Sequence, residues 1–310
     1  MGIFIMKSKI IFSFAISATT IFFAACNKDE EIIIDSPDVP TSGVFTVMEY
    51  TPAPGQFINE SASGFNNITT PEEACAYAEE RLAQTNYISL GGWGGYIVVK
   101  CPKVIKNTGQ YEFSIAGNSF GTSNEPGIVW VMKDSNGNGL ADDEWFQLRG
   151  SEYDAPAFVK DYWVTYYRGD KKSAIKWVDS LGNTGIMDWL GEFHQQESYY
   201  PKWVATDSYT LYGSRLPDNA VLNTETGDWS TLPFSWGYVD NKGEDSAIEE
   251  IKGKRVIKNY FRISDAVKAD GTAAGLNSID FIKVQTGVNG NCGRLGEIST
   301  EVCGFFIENQ

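Results

Sequence analysis

The chain has 310 residues, 42% of them apolar, which is enough to bury a full core and excludes a disordered chain. Asp and Glu outnumber Lys and Arg by 40 to 25, a formal net charge of −15, which argues against nucleic acid as a partner because such binders need a positive footprint. A single histidine excludes His-rich metal sites, and 31 Gly with 9 Trp, 15 Tyr and 18 Phe is a turn-and-aromatic composition suited to sheets.

Residues 1–25 read as a signal peptide. Lys7 and Lys9 form a basic n-region, and Ile10 to Phe23 form an apolar stretch too short for comfortable membrane spanning. Phe23-Ala24-Ala25-Cys26 resembles a bacterial lipobox with Phe23 in place of the usual Leu, so lipidation is expected at Cys26. Asn27-Lys28-Asp29-Glu30-Glu31 is similar to the acidic surface-export signal of Bacteroidetes lipoproteins; the bland alternative is a solvated acidic linker. Ile32 to Gly43, with Pro37 and Pro40, continues as an extended tether. Residues 26–44 would then tie a peripheral folded domain, residues 45–310, to the outer membrane at the cell surface.

Thr70-Pro71-Glu72-Glu73 is a capping box with proline at the first helical position, and it predicts a short helix continuing through Ala74 to Gln84. The runs Tyr96–Val99, Tyr111–Ile115, Gly127–Met132 and Trp145–Leu148 read as strands. The glycine-rich Gly91–Gly95 is either a plain edge-strand turn or a place where backbones or a ligand approach closely. Apart from Cys26 the cysteines are Cys75, Cys101, Cys292 and Cys303, an even number for an oxidising compartment. Cys292 with Cys303 is the favoured pair, leaving Cys75 with Cys101; four free buried thiols are the alternative. No CxxC spacing suggests zinc.

Between two strands lies Asp134-Ser135-Asn136-Gly137-Asn138-Gly139-Leu140-Ala141-Asp142-Asp143-Glu144, with oxygen side chains at loop positions matching the front of a calcium loop. Asp134, Asn136, Asn138, the Leu140 carbonyl and Asp142 are the expected ligands of a structural calcium ion. Trp145 stands where an EF-hand has its bidentate Glu, so the expected motif is a calcium-clipped hairpin. A metal-free Asn-Gly hairpin is the alternative.

Residues 151–250 are aromatic and irregular and read as an insertion, carrying Trp163, Trp177, Trp189, Trp203, Trp229 and Trp236. Most of these belong in a core on ordinary burial statistics. Tyr199, Tyr200, Trp203, Trp236 and Tyr238 are the candidate ligand-stacking residues, because turn residues flank them. Glu192 with His194, and Glu152 or Asp154, are the nearest approach to a catalytic constellation for glycoside hydrolysis, with nothing to fix their separation. No GxSxG, HExxH or phosphate loop occurs, so no enzyme activity is expected. Asp179-Ser180-Leu181 and Asp245-Ser246-Ala247 look like Bacteroidetes O-glycosylation sites. Further on, Ile279–Thr286 alternates and Ile298–Ile307 reads as a closing strand. Alternating strands at both ends predict an all-β, jelly-roll-like β-sandwich with one short helix and an aromatic-rich insertion.

The succession Leu90–Ile97, Phe113–Phe120, Glu125–Val131, the calcium-type loop and Phe146–Tyr153, with Ser278–Gly287 and Leu295–Val302 near the end, resembles a group of Bacteroidetes cell-surface lipoproteins often encoded beside outer-membrane corrinoid (vitamin B12) uptake systems. The resemblance implies capture or presentation of an extracellular ligand, cobalamin before carbohydrate, for a TonB-dependent transporter. A glycan-binding lipoprotein and an adhesion or scaffold subunit of a transporter complex are the alternatives.

Overall fold

Runs of β-branched and aromatic residues pair into antiparallel sheets throughout the computed structural model, which describes residues 44–309. The signal peptide, Cys26, the acidic run and nearly all of the tether lie outside the described residues. The larger sheet has six strands in the order Thr46–Thr51, Tyr96–Lys106, Ser278–Thr286, Gly127–Met132, Trp145–Leu148 and Ala266–Val267. The second has four, in the order Ser246–Ile251, Lys254–Phe261, Phe113–Gly117 and Gly304–Ile307. The chain passes between them, from Tyr96–Lys106 to Phe113–Gly117 and back to Gly127–Met132, then again from Lys254–Phe261 to Ser278–Thr286 to Gly304–Ile307. The fold is therefore the expected all-β sandwich, with the strand crossovers of a jelly roll.

The main core unites residues of the two sheets, among them Ile97, Val99, Val129 and Ile282 from the larger and Phe113, Ile115 and Phe305 from the second. Each contributes roughly 1.5–3 kcal/mol by leaving water. Helix Pro71–Ala83 packs on this core through Ala74, Tyr77 and Ala78. It starts as the capping box requires: Glu73 N–H donates to Thr70 Oγ1 at 3.2 Å, and Glu73 Oε2 accepts from Thr70 N–H at 3.3 Å.

The closing strand is not continuous. Glu301–Val302 pairs with Ile88–Ser89, whereas Gly304–Ile307 pairs with Phe113–Gly117. The insertion has a sheet of its own, in the order Ser208–Arg215, Val159–Tyr167, Ile175–Asp179 and Thr184–Met187, and a hairpin of Ala220–Leu222 with Trp229–Thr231. It ends before Ser246, since Ser246–Ile251 is already an edge strand of the sandwich. A separate cluster of Trp93, Tyr162, Tyr166, Met187, Tyr199, Tyr200 and Leu211 forms its core. Gln285, fully buried on a central strand, joins the parts: its Nε2 donates to Gly94 O at 2.9 Å and to Tyr212 O at 2.8 Å.

At the glycine-rich run backbones meet. A Cβ on Gly91, where φ is +67°, would lie 2.1 Å from Ala53 O, and one on Gly95 would lie 1.8 Å from Leu90 O. Only glycine admits that contact. The expected disulfides are not formed: Cys75, Cys101, Cys292 and Cys303 are free. Cys292 and Cys303, the pair the sequence favoured, pack in different apolar clusters. Among the described residues no helix is long and apolar enough to cross a membrane.

Candidate functional site

Four of the five aromatic residues expected to stack on a ligand are interior. Tyr199, Tyr200, Trp203 and Tyr238 are all buried, and only Trp236 is exposed. The reason lies in their hydrogen bonds and neighbours. Tyr200 OH donates to Thr206 O at 2.9 Å, Tyr199 OH to His194 O at 3.1 Å, and Tyr238 OH accepts from Glu152 N–H at 2.9 Å. Trp203 stacks on Phe65 with ring centroids 5.8 Å apart. These rings staple irregular backbone to the core, which is why turn residues flank them.

The calcium-type loop joins Gly127–Met132 to Trp145–Leu148 and is moored to the larger sheet. Asp134 N–H donates to Asp280 Oδ2 at 2.9 Å, and Lys100 Nζ to Gly139 O at 3.2 Å. Asp134 accepts from the N–H groups of Gly137 and Gly139, at 2.7 and 2.8 Å, and both glycines have positive φ. Asn136 and Asn138 converge on Asp142, each donating an amide proton to Asp142 Oδ1, at 3.3 and 3.2 Å. The loop thus brings Asp134, Asn136, Asn138 and Asp142 together through hydrogen bonds of its own, with the oxygens of Asp134, Asn136 and Asn138 accepting backbone N–H groups and Asp142 accepting the two Asn amides.

Beside this loop a groove of about 450 Å³ runs along the seam between sandwich and insertion, lined by Trp130, Trp145, Trp163 and Tyr212 with Lys160 and Asp161. Register places these rings. Trp145 pairs with Met132, two residues from Trp130, so the period of two puts both tryptophans on one sheet face. Trp163 and Tyr212 are direct partners across the insertion sheet. Tyr212 is 67% exposed. The pairing slips between Gly213 and Arg215, and Asp161 opposite takes φ of 52°, a bulge of the kind that re-aims side chains at sites. Trp130 Nε1 is buried without a hydrogen-bond partner.

A second pocket, of about 500 Å³, opens next to the Trp229–Thr231 hairpin. Phe57, Tyr87, Phe120 and Trp229 supply aromatic surface, and Glu125, Glu297 and Glu301 line the same space. Glu125 and Glu301 are neighbours, with carboxyl oxygens within 4.8 Å of each other. Ser299 holds both, its N–H donating to Glu125 Oε1 at 3.1 Å and its Oγ to Glu301 Oε1 at 2.8 Å. Carboxylate oxygens of Glu125, Asp240 and Glu301 lie within 4.8 Å of one another. Asp240 is already held by backbone: Oδ1 accepts from Asn118 N–H at 2.9 Å and Oδ2 from Glu301 N–H at 3.0 Å. Burial, then the neighbouring Glu125, push Glu301 and Asp240 well above the usual carboxylate range. Burial also pushes Glu297 up to about 8. Its Oε1 accepts from Gln56 N–H at 2.7 Å, while Oε2 has no partner.

Sequence reasoning missed both pockets, whose residues come from distant segments. Glu297, Ser299 and Glu301, spaced by two, were the one local signal of the acidic pocket. The catalytic residues considered from the sequence do not assemble. His194 Nδ1 lies 2.7 Å from Glu60 Oε1, Asp154 pairs with Arg149 at 2.6 Å, and Glu192 is exposed. Asp179 and Asp245, in the glycosylation-like motifs, are buried and bind backbone: Asp179 Oδ1 accepts from Leu181 N–H and Asn183 N–H, Asp245 Oδ2 from Gly237 N–H. No protein-family model matches the chain, and no curated protein matches it.

Proposed function

We propose that this protein is a surface-exposed outer-membrane lipoprotein, anchored through Cys26, that captures an extracellular ligand without chemically altering it and presents it for uptake. The observation that carries the binding part is the groove at the seam, where Trp130, Trp145, Trp163 and Tyr212 line one space with polar Lys160 and Asp161. Aromatic faces offer large contact area at low entropic cost and suit a planar macrocycle or a sugar ring. The sequence resemblance is the reason to try a corrinoid first and a glycan second, with a TonB-dependent transporter as the proposed receiving partner. A structural calcium ion at Asp134, Asn136, Asn138, Leu140 and Asp142 would stiffen the loop that leads into Trp145 and so hold one wall of the groove.

Calorimetric titration with cyanocobalamin and with a panel of glycans tests this reading. Saturable binding of one of them, weakened about tenfold or more in Trp163→Ala and in Tyr212→Ala, is the expected result; tenfold corresponds to about 1.4 kcal/mol. Trp236→Ala should leave affinity unchanged, since Trp236 lies outside the groove. Silence toward both ligand classes, with a transporter co-purifying, would favour the scaffold reading. Release of Cys26→Ala from the membrane fraction checks the anchor.

A further inference from the structure

The acidic pocket carries a separate assignment. Glu297 is only 5% exposed, lines the pocket, and leaves Oε2 without a hydrogen-bond partner. Glu125 and Glu301 line the same space, and no lysine or arginine does. None of the ion pairs among the described residues involves Glu125, Asp240, Glu297 or Glu301. Arg81, which lies over the Tyr87 ring at 5.3 Å, gives its Nε and Nη2 protons to the Tyr87 carbonyl. Crowded carboxyls without a cation are costly in a low-dielectric site, and an unsatisfied one more so.

We propose that this pocket binds a small organic cation, a protonated amine, whose ammonium group meets Glu297, Glu125 and Glu301 while Trp229 and Phe120 cover its carbon skeleton. An ammonium carries donors only; Glu297 Oε2 is an acceptor without a partner, and an entering cation would favour loss of the protons that burial holds on these carboxyls. The aromatic walls favour the same charge through their negative faces. Phe120 is 70% exposed and Trp229 is half-buried, so the rim is accessible. A metal ion fits the pocket less well. It would belong among Glu125, Asp240 and Glu301, but Asp240 does not line the pocket and both its oxygens serve backbone N–H groups. The unpartnered oxygen belongs to Glu297 instead, and about 500 Å³ with four aromatic residues is room and surface that a bare ion does not use. The assignment is independent of the seam groove and of what that groove binds.

Titration calorimetry of the full chain at neutral pH with cadaverine and with glucosamine tests it, against pentanediol and N-acetylglucosamine as their uncharged counterparts and against calcium chloride alone. Saturable heat is expected from at least one amine and none from its counterpart. Glu297→Gln should weaken that binding by about tenfold or more, because it keeps the shape and cannot become the carboxylate that pairs with the ammonium. Phe120→Ala, at an exposed rim position that cannot unfold the core, should weaken it as well. Trp163→Ala, in the seam groove, should not. Equal binding of the uncharged counterparts, unchanged binding in Glu297→Gln, displacement of the amine by calcium, or no heat from either amine would each overturn the proposal.

Discussion

Tyr199, Tyr200 and Trp203 stand in the same aromatic stretch of sequence as Trp163 and Tyr212, yet the first three are buried and the last two line a groove. The buried rings belong to irregular chain between strands, where a long side chain with a polar tip can enter the core and still satisfy a backbone carbonyl. Those of the groove sit on regular strands, where alternation decides exposure: along Ser208–Arg215, Leu211 is buried and its neighbour Tyr212 faces out. Flanking turns are therefore a poor guide to an exposed aromatic residue in this molecule. Position within a pleated strand is a better one.

The sharpest way to break this comparison is to remove one ring of each kind. Trp203→Ala should cost about 3–5 kcal/mol in urea unfolding, the range for truncating a buried aromatic residue, whereas Tyr212→Ala should change stability by less than about 0.5 kcal/mol. Equal losses would mean that the two sets are not physically distinct.

A smaller effect is expected from Glu297, which separates the acidic pocket from the seam groove by its response to pH. Its carboxyl binds a proton more tightly in the folded chain, at about 8, than in the unfolded chain, where the value is about 4.3. The folded state then holds more protons between those values, so stability present below about pH 4.3 is lost as pH rises toward about 8. Thermal melting between about pH 5 and 8 should therefore fall less steeply in Glu297→Gln than in the parent chain, by up to a few kcal/mol in stability. A variant with an unchanged slope would remove the claim.

Calcium gives the smallest expected change. Saturation at about a hundred times Kd would add about 2.7 kcal/mol to the folded state, so chelation should lower the melting temperature. Asp142→Asn keeps the side chain's size and should melt at the chelated value in both conditions. Identical melting with stripped and with calcium-loaded protein would take the ion away from this loop.

The helix cap, the strand runs at both ends and the polar loop were all legible because each is encoded within a few adjacent residues. Thr70 and Glu73, for example, need only each other. The acidic pocket was not, because the whole insertion and several strands of the sandwich separate Glu125 from Glu297, and they meet only through sheet pairing. The strand read through Ile298–Ile307 failed for a related reason. Its apolar content is right, but the segment changes partners at Cys303, with Glu301–Val302 serving one sheet and Gly304–Ile307 another. The insertion's own sheet was hidden because its dense aromatic content obscures the period of two.

The four separate cysteines have a consequence for how the molecule behaves in air. Burial pushes the thiols of Cys101 and Cys303 far above their ordinary range, and Cys292 up to about 11. Thiolate is the reactive species, so the native fold is itself the antioxidant, shielding sulfur that air would otherwise attack. Among the described residues no disulfide closes the fold, so reductant is expected to leave its melting unchanged. Once opened in air, however, it exposes four thiols to wrong partners, and denaturation becomes a one-way event.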